Sequence, residues 1–242
     1  MKLALFGHGA MGRLVEARAR AGGHEIGLVV TSRDAGRTAA ELSELLRGHD
    51  AAIDFSVAPA VLRNVEACAL AGVTLAEGTT GWHDEIEEAR RLVAARGGSL
   101  VYGANFSVGV NLFYRVARRA AELFAAVEGY EAFIEEAHHS RKRDAPSGTA
   151  LRLRAILGES LGGRPVPIAS TRAGHMPGTH RVGFDSQVDQ ITLTHTARSR
   201  EGFVEGALLA ARWMRGTPGV LEFSEVLDRI ISNRGGDDDR TS

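Results

Sequence analysis

Lys2-Leu-Ala-Leu-Phe-Gly-His-Gly-Ala-Met-Gly12 is the stretch on which the fold turns. Leu3–Phe6 reads as a short buried strand and Met11–Ala21 as a helix, so a G-x-G-x-x-G loop joins strand to helix. In that context each glycine has its own task. Gly7 permits the tight turn, Gly9 lets backbone N–H groups approach a pyrophosphate, and Gly12 lets the helix pack close to the sheet. The positive end of the helix favours the anion. His8, Ala10 and Met11 fill the rest of the loop and join the three glycines as expected cofactor contacts.

Outward from this loop, short apolar runs alternate with amphipathic stretches. Glu25–Thr31, Ala51–Ser56, Thr74–Glu77 and Ser99–Tyr102 read as further strands, and Pro59–Ala71 and His83–Ala95 as helices. Alternation of this kind implies a parallel sheet covered on both faces, a Rossmann-type doubly wound α/β domain over residues 1–103. The pattern then changes. Val108–Ala126 reads as one long helix with Leu112, Val116, Leu123 and Val127 on its apolar stripe. Tyr130–Ala137, His180–Asp185 and Gln190–Ala197 read as strands, with a helix opening at Ser147 and another over Glu201–Arg215. Residues 104–216 are therefore expected to form a second, α+β domain. Residues 217–232, with a short helix from Phe223 to Ile231, rejoin the first. The polar tail 233–242 is expected to be disordered.

The second strand tests which dinucleotide the loop would hold. An NAD site wants an acidic residue at the strand end for the ribose 2′-hydroxyl. The chain reads Val29-Val-Thr-Ser-Arg-Asp34, with Asp34 a residue or two late. Ser32 and Arg33 suit a 2′-phosphate, because a guanidinium grips phosphate oxygens as a fork. The expected cofactor is NADPH, with NADH possible. Gly78-Thr-Thr-Gly81 and Gly103-Ala-Asn-Phe106 follow the fourth and fifth strands, where ligands of open α/β sheets bind. Gly78, Thr79, Thr80, Gly103, Ala104, Asn105 and Phe106 are thus further cofactor candidates.

Composition narrows the function classes. With 242 residues, 44% apolar and 24% charged, the chain is an ordinary globular protein, and a net charge of −1 argues against a general nucleic-acid binder. No apolar run approaches the ~20 residues that span a bilayer, and the first apolar run is too short for a signal-peptide core. One cysteine, Cys68, leaves no disulfide framework and points to a reducing, cytoplasmic compartment.

The chemistry concentrates in Glu136-Ala-His-His-Ser-Arg-Lys-Arg-Asp-Ala-Pro-Ser-Gly-Thr-Ala150. Pro146 suits the first turn of a helix, and the free N–H groups of Gly148 and Thr149, with the Thr149 hydroxyl, make a carboxylate site. Lys142 lies between Arg141 and Arg143, a cluster of cations in which an ammonium suits the part of proton donor. A solvated basic loop with core-packed histidines is the alternative. No metal is called for.

This segment resembles the signature of the 4-hydroxy-tetrahydrodipicolinate reductase (dihydrodipicolinate reductase) family of bacterial lysine and diaminopimelate synthesis. Matches in the same order include Gly7–Gly12, Asp54-Phe-Ser56, Gly78-Thr-Thr-Gly81, Ala104-Asn-Phe-Ser-Val-Gly-Val-Asn111, Arg172-Ala-Gly174, Gly178-Thr-His180 and Thr194-His-Thr-Ala-Arg-Ser-Arg200. The resemblance spans about residues 3–215. It implies hydride transfer from a nicotinamide to a cyclic imine dicarboxylate, with His138 and Lys142 in the acid role. It also implies that His139 and the Gly148–Thr149 amides hold substrate carboxylates, and that the enzyme is a homotetramer built through the second domain's sheet.

The chain departs from the family pattern in several places. It is compressed between Asp34 and Asp54 and between Thr149 and Arg172. Its glycine loop is one residue tighter than the common G-x-x-G-x-M-G form. Thr31 or Ser32 replaces an acidic residue, and Thr179 stands where a glutamate is frequent. A related NADPH-dependent reductase or dehydrogenase of another small imine or keto acid is the first alternative. A non-catalytic dinucleotide-binding sensor is the more remote one.

Overall fold

The structure, a computed structural model, describes residues 1–235. It divides into two compact units, one of Met1–Ser107 with Phe203 onward, the other of Val108–Gly202. In the first, β1 (Lys2–Phe6), α1 (Ala10–Ala21), β2 (Glu25–Val30), α2 (Ala39–Leu46), β3 (Ala51–Asp54), α3 (Val61–Ala71), β4 (Thr74–Glu77), α4 (Ile86–Ala94) and β5 (Ser99–Tyr102) alternate as expected. The second unit holds α5 (Val108–Ala125), β6 (Glu131–His138), α6 (Gly148–Ser160), β7 (Ile168–Arg172), β8 (Thr179–Asp185) and β9 (Gln190–Thr196). The chain then forms α7 (Glu201–Met214), β10 (Gly219–Glu222) and α8 (Phe223–Gly235).

The first sheet runs β10-β5-β4-β3-β1-β2, with every pairing parallel. Ala4, Phe6, Ala52, Leu75 and Leu100 are buried against α2, α3 and α4. Their alternate neighbours Leu3, Leu5, Ile53, Ala76 and Val101 are buried too, as a sheet covered on both faces requires. Strand order reverses between β2 and β3, on either side of β1. The loops that follow β1, β2, β3, β4 and β5 therefore share one edge, the ligand-binding edge of such sheets.

Six elements differ from the sequence reading. α2 was not expected, although Thr38-Ala-Ala-Glu41 carries a capping box in which the Thr38 hydroxyl accepts from the Glu41 amide and the Glu41 carboxylate accepts from that of Thr38. The strands β7 and β10 were also unforeseen. Helices α3 and α4 begin after short 3₁₀ turns over 58–60 and 83–85, which absorb the expected starts at Pro59 and His83. The stripe assigned to α5 points the wrong way: Leu112, Val116, Leu123 and Val127 are exposed, while Phe113, Ala117 and Ala121 face the core. Two alanines one turn apart let α5 approach its neighbours closely, which bulkier residues would prevent.

The unit boundaries fall at Ser107/Val108 and Gly202/Phe203, where 103/104 and 216/217 were expected. Residues 203–216 of α7 and its C-terminal end pack on the first unit instead. A side chain at Gly206 would overlap the Phe106 carbonyl, Arg18 of α1 pairs with Glu205, and Arg215 pairs with Asp50. Of the tail expected to be disordered, 233–235 continue α8, and 236–242 lie outside the described residues.

In the second unit the sheet order is β7-β6-β8-β9, with β6–β7 parallel and the other pairings antiparallel. One face packs on α5 and α6 through Ile134, Val182, Phe184, Leu153 and Leu157. The other face carries Phe133, the Glu135–Arg181 ion pair and exposed Thr192, Thr194 and Thr196. Among the described residues no helix is long and apolar enough to cross a membrane.

Candidate active site

In the first unit the glycine loop has the geometry its sequence demands. Gly7 sits at φ +85°, and a side chain at Gly12 would overlap the Gly7 carbonyl, so strand and helix meet at the closest approach two backbones allow. A Cβ on Gly9 would meet nothing within 4 Å. No side chain caps the N-terminus of α1. Open space beside uncapped amides is what a pyrophosphate needs, so the loop fits a dinucleotide. His8 is exposed, with Nε2 2.7 Å from Glu16. Ala10 is exposed and Met11 half-buried beside it.

Beyond β2, Thr31 caps a short 3₁₀ turn of Ser32, Arg33 and Asp34. Ser32 and Arg33 are exposed on this turn. The Asp34 carboxylate accepts from the Thr31 amide at 3.0 Å and from Arg37 at 2.9 Å, contacts that hold its pKa below the usual range. Asp34 is thus engaged with its own loop. On the loop after β4, Gly78 and Thr79 are half-buried and Thr80 exposed, and a side chain at Gly78 would overlap the Phe55 ring. After β5, Ala104 is exposed, and Asn105 Oδ1 accepts from the Ser107 amide. Gly103 and Phe106 differ from the rest. Both are buried, and Phe106 packs on Phe223 at 4.8 Å and Phe55 at 6.5 Å, which makes it a support beneath the loop.

In the second unit, β6 alternates faces and turns Glu136 and His138 inward. Arg172, at the end of the neighbouring β7 and the register partner of His138, reaches both Glu136 oxygens, at 2.6 and 2.9 Å. His138 Nδ1 lies 2.5 Å from Glu136 Oε2. Burial opposes the Glu136 charge, but Arg172, Ser170 and His138 outweigh it and hold its pKa at about 2. An ionised carboxylate only accepts, so Nδ1 is the nitrogen that carries hydrogen, and Nε2 is left for chemistry. A Cβ at Gly178, whose φ is +141°, would come within 2.9 Å of Nε2, so glycine keeps that nitrogen clear. Burial lowers the pKa of His138 against the raising effect of Glu136.

The same network reaches α6. The Ser147 amide donates to Glu136 Oε1 at 3.3 Å, and Ser147 Oγ lies 3.0 Å from His180 Nε2. That hydroxyl caps the Ala150 amide at 3.2 Å, not those of Gly148 and Thr149. Gly148 is exposed and Thr149 half-buried, its side chain bonded to Tyr114. Lys142 is half-buried and its ammonium sits on Asp144, at 2.8 and 2.9 Å. The Asp144 carbonyl accepts from Arg172 at 2.6 Å, which ties this turn to the network. His139 is half-buried, its Nδ1 enclosed without a partner and its amide donating to Met176 O at 2.8 Å. Glu136, His138 and His180 present ligand-type atoms within 4.8 Å of one another. Arg172 already engages both Glu136 oxygens, so the cluster is a hydrogen-bonded network balanced by a cation.

The sequence reading thus named His138, His139, Lys142, Gly148 and Thr149 but missed Glu136, Ser147, Arg172 and His180 as supports. Only alternation along β6 could have flagged Glu136, which shares the inward parity of Ala132, Ile134 and His138.

Comparisons with known proteins identify the family and the fold. The family model described as dihydrodipicolinate reductase, N-terminus, matches residues 1–106, and that described as dihydrodipicolinate reductase, C-terminus, matches 109–227. The 4-hydroxy-tetrahydrodipicolinate reductase of Christiangramia forsetii is 35% identical over 251 aligned positions, covering 96% of this chain and 100% of the relative. That of Methanosarcina barkeri is 40% identical, covering 74% and 73%. Among solved structures, dipicolinate-bound dihydrodipicolinate reductase from Paenisporosarcina sp. TG-14 superposes with a TM-score of 0.77 at 21% identity, over 93% of this chain and 99% of that one. A probable dehydrogenase from Thermotoga maritima has a TM-score of 0.59 at 9% identity, covering 93% and 92%, a likeness of fold.

Proposed function

The chain belongs to the dihydrodipicolinate reductase family, and on that premise we propose how its two units share the NAD(P)H-dependent reduction of 4-hydroxy-tetrahydrodipicolinate in lysine and diaminopimelate synthesis. The first unit holds the nucleotide through Gly7–Gly12 and the loops after β2, β4 and β5. When bound, the nicotinamide supplies the hydride. NADPH is the preferred form. Asp34 is engaged by Thr31 and Arg37, which leaves Ser32 and Arg33 exposed for a 2′-phosphate.

The second unit holds the dicarboxylate and supplies the proton. Gly148 and Thr149, at the start of α6, accept one carboxylate and His139 the other. Lys142 and His138 form the acid pair. The Glu136–Arg172 ion pair orients His138, so that any proton it passes leaves from Nε2. Lys142, paired with Asp144, exchanges that partner for the anionic substrate. This juxtaposition of a fixed imidazole, an ammonium and a helix N-terminus within one unit carries the reading. The uncovered face of the β7-β6-β8-β9 sheet supports assembly into a homotetramer. Cys68, buried and unpaired, suits a reducing cytoplasm.

Calorimetric titration with dipicolinate, the ligand named for the Paenisporosarcina structure, tests the carboxylate site. Binding that weakens about tenfold or more in Thr149→Val and His139→Ala is expected, the loss of a hydrogen bond to a charged group. Undiminished binding in both would place the substrate elsewhere.

A further inference from the structure

Two acids lie side by side in the first unit with no base between them. Asp54 ends β3, Glu77 ends β4, and the two are register partners on adjacent strands. Both are 0% exposed. Asp54 is well supplied with donors: the Ser56 amide at 2.7 Å and Thr79 Oγ1 at 3.3 Å reach Oδ1, and Asn64 Nδ2 reaches Oδ2 at 2.7 Å. Glu77 draws on Thr79 alone, through its amide at 2.6 Å to Oε1 and its hydroxyl. Its Oε2 is buried without a partner, while the two acids stand within hydrogen-bonding reach of each other. Two ionised carboxylates can only accept, and together they would place two like charges in a dry site. A proton on Glu77 removes both problems, because the orphaned oxygen then becomes a donor.

We propose that Asp54 and Glu77 share one proton, with Glu77 as the neutral acid donating to the Asp54 carboxylate, and that this pair is a positioning device for the loops after β3 and β4. The linkage is direct. Asp54 holds the Ser56 amide, which also reaches Thr79 Oγ1 at 3.1 Å, and Glu77 holds the Thr79 amide. Trp82 then closes the Thr79 turn, its indole N–H donating to the Thr79 carbonyl at 2.9 Å. The effect on nucleotide binding rests on the reading of Gly78, Thr79 and Thr80 as cofactor contacts.

The surroundings keep the pair isolated. From α3, Arg63 spends its donors on Asn64 Oδ1 and on the carbonyls of Asp34, Ala35 and Arg37. Cys68, also on α3, is neutral, its thiol pushed up by burial and by both acids. Tyr102, the register partner of Glu77 on β5, has its hydroxyl pushed up by burial. Burial raises both acids, Glu77 the more, with Asp54 beside it as the second cause. The folded chain therefore binds the shared proton more tightly than the unfolded chain. That stability is fully present below the ordinary value of 4.5 for Glu77 and declines as pH rises through the folded pair's titration.

The test compares the full chain with Glu77→Gln, whose amide can donate to Asp54 without a titrating proton. Unfolding and NADPH binding are followed between about pH 5 and about pH 9. In the natural chain the unfolding constant is expected to rise up to about tenfold per pH unit through the titration, with NADPH affinity falling in parallel. In Glu77→Gln that part of both slopes disappears. Equal slopes in the two proteins overturn the proposal. Infrared difference spectra give a reading that survives a poorly folding variant: the natural chain at neutral pH shows the carbonyl band of a buried neutral carboxylic acid, and its absence overturns the shared proton. If neither protein binds NADPH at any pH, the cofactor assignment of the loop fails, while the unfolding slopes still decide the pair.

Discussion

Arg172 closes a two-pronged grip on Glu136, at 2.6 and 2.9 Å, from the end of the strand next to the one that carries the acid. The Glu136 side chain is wholly buried and that of Arg172 nearly so. Removing one partner strands a buried charge, so Arg172→Met is expected to cost about 3–5 kcal/mol of stability. The exposed Glu135–Arg181 pair on the opposite face supplies the contrast, with Arg181→Met costing at most about 1 kcal/mol. Denaturant unfolding of both variants checks this. Equal losses would show that the Glu136 network is an ordinary surface-type pair.

Acid should unravel the same network. Glu136 is held at about 2, below its ordinary 4.5, so its contribution is present above that value and is lost as pH falls from about 4.5 towards about 2. His180 is held at about 4, below its ordinary 6.5, by burial and by neighbouring His138. The folded chain keeps it neutral, so stability also falls as pH drops from about 6.5 to about 4. Unfolding followed across that range should steepen below about 6.5 in the natural chain and lose this slope in His180→Gln, by up to about 1.4 kcal/mol per pH unit. An unchanged slope in His180→Gln would assign the acid sensitivity elsewhere.

Lys142→Ala tests the proton donor. Turnover is expected to fall about 10²–10⁴-fold with NADPH affinity nearly intact, because Lys142 belongs to the second unit and the nucleotide loops to the first. Steady-state kinetics beside a nucleotide titration separate the two. Full turnover in the variant would remove Lys142 from the mechanism.

Arg33→Ala tests cofactor choice. Loss of a charge-assisted contact to the 2′-phosphate should weaken NADPH binding by about 10–100-fold and leave NADH binding unchanged. Equal losses for both nucleotides would contradict that role.

How far the chain was legible can be argued from single residues. The glycine loop announced the first unit because each of its glycines has a local reason, visible in Gly7, Gly9 and Gly12 alike. His138, Lys142 and Thr149 were legible because the motif packs them within a dozen residues. Their supports were not, because Arg172 and His180 arrive from β7 and β8, and nothing local to either residue records a partner more than thirty residues away. The face of α5 was misread for a different reason. Leu112, Val116, Leu123 and Val127 form a consistent stripe, but close packing selected the smaller Ala117 and Ala121. Helix α2 was missed although its capping box was written in Thr38 and Glu41.

The most direct test of the central claim is a coupled assay. The preceding synthase generates 4-hydroxy-tetrahydrodipicolinate in place, and oxidation of NADPH and NADH is followed in parallel by absorbance. Rapid oxidation that requires the synthase, faster with NADPH, is the predicted result. Tight NADPH binding with no synthase-dependent oxidation of either nucleotide would contradict the account.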